Sequence, residues 1–105
     1  MPYQFVSLEP LIDDKKKYQV TLKHTVDGVE KLKKIKFGAS GYDDYTTKRQ
    51  KDEKRKEAYL SRHEAREDWT KTGITTAGFW SRWILWNKRT IGASLNDVKK
   101  RFFKN

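Results

Sequence analysis

Thr75-Thr-Ala-Gly-Phe-Trp-Ser-Arg-Trp-Ile-Leu-Trp-Asn87 holds three of the chain's four tryptophans in thirteen residues. No other stretch has comparable apolar mass, so the core must form around it. Wound as a helix at about 100° per residue, it places Phe79, Trp83 and Trp86 on one ridge, with Trp80 and Ile84 beside it. Ser81, Arg82 and Asn87 interrupt the apolar surface only in narrow slots. A helix apolar on so many sides is either buried or laid against a partner. The adopted reading is a central core helix over 75–87, capped by Thr75 or Thr76, with Phe79, Trp83 and Trp86 inside. The alternative is an aromatic platform for bases or for a partner protein. Gly78 costs roughly 1 kcal/mol against alanine in a helix, which suggests that another element crosses closely there.

Toward the N-terminus the pattern changes from helical to alternating. Tyr3 and Phe5 flank polar Gln4, a short strand or extended arm that Pro10 should end. Asp13-Asp-Lys-Lys-Lys17 reads as a charged turn. Tyr18, Val20 and Leu22 then share one face of the clearest strand in the chain, Tyr18–His24. Asp27-Gly28 has the chemistry of a type I′ hairpin turn. The return strand, Lys31–Phe37, carries Ile35 and Phe37 on one face with Leu32 out of phase, a mismatch that a bulge would repair. Residues 38–47 form a loop whose glycines fit no nucleotide motif. Its Asp43-Asp44 pair is read as solvated.

Residues 48–68 are almost entirely polar and rich in helix formers. On a helical wheel Lys48, Lys51, Arg55, Tyr59, Arg62 and Arg66 fall in a stripe about 80° wide, with most of the acidic residues on the far side. Charge pairing alone would interleave the signs, and segregating them brings like charges together at spacings such as Arg62/Arg66. An anionic surface against the stripe would relieve that repulsion. Beyond the aromatic segment, residues 94–103 predict a final helix, with Ser94 as cap and Asp97 in the capping-box position. Its Leu95, Val98 and Phe102 could close over the tryptophans while Lys99, Lys100 and Arg101 face out.

The expected architecture is therefore α+β in one domain over 1–105: strands and a hairpin in 1–37, then helices over 48–68, 75–87 and 94–103. Lys plus Arg is 24 against 14 for Asp plus Glu, a net charge of +10. A field of that sign attracts polyanions such as nucleic acid, or an acidic protein surface. Without cysteine there is no disulfide framework and no thiolate metal site. His24 and His63 stand apart, and no metal-ligand spacing or nucleophile motif occurs. Neither a long apolar run nor a signal-peptide stretch is present, so the expected location is inside a host cell or in a particle assembled there. No enzyme activity, cofactor, small-molecule substrate or membrane association is expected.

Lys36-Phe-Gly38, Asp44-Tyr-Thr46, Tyr59, Arg62-His63, Trp69 and Thr76-Ala-Gly-Phe-Trp-Ser-Arg-Trp-Ile-Leu-Trp86 together resemble a family of short, basic, uncharacterised proteins of large DNA viruses of algae and protists, with relatives in their hosts. The likeness runs from about Lys34 to Phe102 and leaves the N-terminal hairpin outside. Ala-Gly-Phe-Trp-Ser-Arg-Trp is its specific signature. The resemblance implies a viral setting, whether capsid, genome or infected cell, and supplies no catalytic residues. It also implies that His63 packs on the aromatic helix and presents Arg55, Arg62 and Arg66 outward. Two functions follow. One is a non-enzymatic nucleic-acid-binding accessory protein, contacting phosphates through Lys48, Lys51, Arg55, Arg62 and Arg66 with Lys99, Lys100 and Arg101. The other is a minor structural, capsid-associated virion protein whose positive stripe meets an acidic shell protein.

Overall fold

Phe5 and Leu8 lie three apart, so in a regular strand they would point to opposite faces of the sheet. In the computed structural model, which describes residues 3–47 and 53–103, one extra residue resolves this. Strand β1 (Gln4–Pro10) pairs Phe5 with Leu22 and then Ser7 with Thr21, so Val6 forms a bulge and Leu8 returns to the inner face opposite Val20. Strand β2 (Lys16–Val26) runs antiparallel to both β1 and β3 (Val29–Ala39), giving the order β1-β2-β3. The β2–β3 turn has Asp27 at φ 50° and Gly28 at φ 77°, the two positive values that a type I′ turn requires. The expected bulge in β3 is absent. Its register to β2 is constant from Val26↔Val29 to Lys16↔Ala39, and Leu32 simply lies exposed on the outer face.

The inner face of the sheet buries Val20, Leu22, Ile35 and Phe37. Covering it are α2 (Ala77–Trp80) with its continuation Ser81–Leu85, and α3 (Ile91–Phe102), while α1 (Glu53–His63) packs against Trp86 through Tyr59. The aromatic segment does not wind evenly. After one α turn the chain widens into a π-helix, with the Trp86 amide donating to the Ser81 carbonyl five residues back. The wheel drawn at 100° therefore fails for its second half. Phe79 is inside as expected, but Trp80, Ile84 and Leu85 are the residues buried with it, whereas Trp83 and Trp86 are only half-buried. The cap is Thr76, whose Oγ1 accepts from the Phe79 amide.

Trp80 joins the layers. Its ring lies 6.4 Å from Phe5 on β1, 6.4 Å from Phe37 on β3 and 6.1 Å from Phe103 just beyond α3, centroid to centroid. Its indole N–H donates to the Ile74 carbonyl at 2.7 Å, satisfying the polar edge of a fully buried ring. A short 3₁₀ turn, Lys71–Gly73, delivers the chain to that carbonyl.

Helix α3 begins earlier than its sequence suggests. Thr90 is the cap and accepts from the Ala93 amide, so Ser94 lies within the helix, fully buried, where its hydroxyl accepts from the Lys88 amide at 2.9 Å. Asp97 is not a capping residue either, since it accepts from Asn87 Nδ2 and Arg101 Nε, each at 2.8 Å. Leu95, Val98 and Phe102 do pack against the core, and Phe102 meets Phe79 and Trp83 edge-on. Burial raises the Asp97 carboxyl, but the hydrogen bonds from Asn87 and Arg101 outweigh it and hold the group below its ordinary 3.8. A carboxyl depressed by folding contributes stability that is complete above the unfolded value and is lost as pH falls through the folded one. Melting temperature should therefore drop more steeply between about pH 5 and pH 3 in the parent than in Asp97→Asn, by thermal denaturation across that range. Parallel profiles would show that the Asp97 contacts do not contribute.

Candidate nucleic-acid interface

The charged helix is shorter than its composition predicts. Residues 48–52 lie outside the described part of the structure, so Lys48 and Lys51 receive no placement. At the other end α1 stops at His63, followed by a turn over 64–66. The reason is local: Glu67 folds back to accept from His63 Nδ1 at 2.9 Å and from Trp69 Nε1 at 2.8 Å. Arg66 is consequently an exposed residue of the turn and no longer continues the helical stripe.

In what remains of the stripe the arginines Arg55 and Arg62 are exposed, and the residue between them turns inward. Tyr59, between Arg55 and Arg62, is buried and stacks on Trp86 with ring centroids 4.5 Å apart and planes 7° apart. His63 stacks on the other ring neighbour, Tyr59, at 4.2 Å. His63 thus packs one ring removed from the aromatic helix. Burial, with Glu67 nearby, pushes the Tyr59 phenol well above its usual value, so it stays neutral. Lys56 adds a second tie, donating from Nζ to the Asn87 carbonyl at 2.7 Å, and burial lowers its ammonium below the ordinary range. Fixed in this way, α1 forms one wall of a groove of about 530 Å³. Lys16 and Lys17 at the start of β2, Gly38 and Ala39 at the end of β3, and residues 42–44 form the opposite wall.

Arg55 and Arg62 both line this groove, together with Lys16, Lys17 and His63. Several of its charges are already engaged. Asp44, expected to be solvated, is 3% exposed and is bonded to Lys17 Nζ at 2.6 Å and to the Thr46 amide at 2.7 Å. That pair is an internal strut, and so is His63 with Glu67. Among the described residues, Arg55, Arg62 and Lys16 have no carboxylate partner for their side chains. The groove therefore presents three cations without a carboxylate partner beside the Lys17–Asp44 pair, with Asp43 and Glu67 also in its lining, an arrangement with an excess of positive side chains for phosphate oxygens.

The C-terminal basic cluster does not join them. Lys99 Nζ lies over the Phe5 ring at 5.1 Å, beside the other edge of the sheet. Arg101 pairs with Asp97 and covers the Trp83 ring at 4.8 Å, while Lys100 is exposed. None of the three lines the groove. Conversely, Lys16 was read as part of a charged turn. The signal was available in Lys15-Lys-Lys17 running into an alternating strand, but placing it opposite α1 required the tertiary fold.

Among the described residues no cluster of His, Cys, Asp and Glu could hold a metal ion, and no helix is long and apolar enough to cross a membrane. Residues 6–63 match the model of a family of unknown function, DUF5754. The chain belongs to this family. The DUF5754 match takes in the hairpin, which lies outside the stretch carrying the viral resemblance, and it ends before the tryptophan-rich segment. It thus spans the two elements that bear the groove's three free cations. No curated protein and no solved structure matches the chain.

Proposed function

We propose that the protein is a non-enzymatic nucleic-acid-binding accessory protein that holds the phosphate backbone in the groove between α1 and the β2–β3 hairpin. The observation that carries this reading is the convergence of Arg55, Arg62 and Lys16 on one groove with no carboxylate partner among the described residues. The net charge of +10 would draw a polyanion toward it from a distance. Base-specific reading is not part of the proposal, because among the described residues no asparagine or glutamine lines the groove beside the arginines. The resemblance of the tryptophan signature to proteins of large DNA viruses suggests a viral genome or its transcripts as the polyanion.

The test is binding of a labelled oligonucleotide of arbitrary sequence, titrated at several salt concentrations. Each phosphate neutralised should contribute about 0.7–0.9 to the slope of log K against log salt. Arg55→Gln with Arg62→Gln should reduce that slope by about 1.5, whereas Lys99→Gln with Lys100→Gln should change it far less. Absence of binding at low salt would overturn the reading. So would association with an acidic protein that persists after nuclease digestion and depends on the same arginines, the outcome expected of a capsid-associated structural protein.

A further inference from the structure

Resting on that reading, we infer that the groove takes a single strand rather than a duplex, with one base stacked on Tyr42. Size is the first reason. A groove of about 530 Å³ falls in the range of roughly 300–1,000 Å³ that encloses a small ligand, enough for one or two nucleotides. A duplex, whose major groove alone is about 12 Å wide, can only rest on the rim. There it would leave Arg55, Arg62 and Lys16 out of joint reach.

The second reason is the state of the rings. Binding of single strands without sequence preference combines a cationic groove with an aromatic face on which bases stack. Tyr59 and Trp86 line the groove but are stacked on each other, and His63 covers Tyr59 further. Tyr42 is different. It lines the same groove, is 73% exposed and stacks on no ring among the described residues. Its face is therefore open for a base to stack on.

The backbone that carries the ring is also held in place. Lys17 Nζ donates to the Tyr42 carbonyl and, at 2.6 Å, to the buried Asp44 carboxylate. Asp44 in turn receives the Thr46 amide, and the Tyr45 amide donates to the Leu85 carbonyl of the π-helix. The loop therefore sits on the core, and the point from which the Tyr42 ring projects is set in advance of any ligand. A base on Tyr42 would place its flanking phosphates toward the cations of the opposite wall.

Equilibrium binding of one labelled sequence, as a single strand and as a duplex, to the full chain and to Tyr42→Ala and Tyr42→Trp decides the matter. The single strand should bind the parent more tightly than the duplex. Tyr42→Ala should weaken it by roughly tenfold or more while leaving the salt slope unchanged, because no charge is removed. Tyr42→Trp should retain or improve parental affinity. Equal affinity for both forms, or indifference to Tyr42→Ala, would overturn the inference and leave the phosphate-binding reading standing. Loss of all binding in the parent would overturn both.

Discussion

Trp80→Ala should destabilise the protein by about 3–5 kcal/mol, against a total for a domain of this size of about 5–15 kcal/mol. The ring is fully buried and touches β1, β3 and the end of α3, so its removal leaves a cavity at the joint between the layers. Loss of the indole N–H also leaves the Ile74 carbonyl without its donor. Trp83→Ala should be clearly milder. Its ring is half-buried and covered on its surface by Arg82 at 4.3 Å and Arg101 at 4.8 Å, side chains that can follow it as it shrinks. Urea denaturation followed by circular dichroism gives both values. If Trp83→Ala proves the more damaging of the two, the placement of Trp80 at the centre is wrong.

Gly73→Ala should be nearly as severe, for a purely steric reason. A Cβ at this buried position would lie 1.9 Å from the Asp68 carbonyl oxygen and 2.8 Å from its carbon. Backbone cannot rotate aside as a side-chain tip can. The 3₁₀ turn must therefore separate from the 67–70 segment. That segment supplies the Trp69 carbonyl to Trp83 Nε1, and the turn leads directly into the Ile74 carbonyl that holds Trp80. Overpacking of this kind costs about 3 kcal/mol or slightly more. Gly92→Ala is the matched control, because that helical position has nothing within 4 Å and should gain up to about 1 kcal/mol from better helix propensity. Melting temperatures shifting in opposite directions would support the geometry. A Gly73→Ala protein that melts with the parent would refute it.

Local chemistry made the sheet legible in advance. Alternation at Tyr18, Val20 and Leu22 and the Asp27-Gly28 pair specify a hairpin through backbone preferences that need no tertiary context. Register is a different matter. The bulge falls at Val6 because Phe5 and Leu8 must both reach the core, whereas Leu32 is left on the outer face at little cost. The π-helix misled the reading of the tryptophans, since every wheel assumes a constant turn. Ser94 misled the reading of α3 because a serine hydroxyl can satisfy an amide from inside a helix as well as from its end.

The groove was half legible. Segregated charge pointed to Arg55 and Arg62, and composition extended their helix past the place where Glu67 turns back. Which cations stay unpaired depends on which carboxylates lie near them in space, and no spacing rule reveals that Lys17 belongs to Asp44, twenty-seven residues away.

The division of the core along the chain has a consequence for synthesis. Val20, Leu22, Ile35 and Phe37 belong to the first part of the chain, and the residues that cluster with them, Phe79, Trp80, Ile84, Leu85 and Val98, come from its last third. The β2–β3 hairpin can close within about 1–10 μs of leaving the ribosome. Translation at about 5–20 residues per second then takes roughly 3–13 s to travel from residue 37 to residue 103. Throughout that interval the nascent sheet shows a bare apolar face to water. The protein should therefore depend on chaperone shelter while it is being made, and a ribosome stalled before α3 should leave it exposed to proteases.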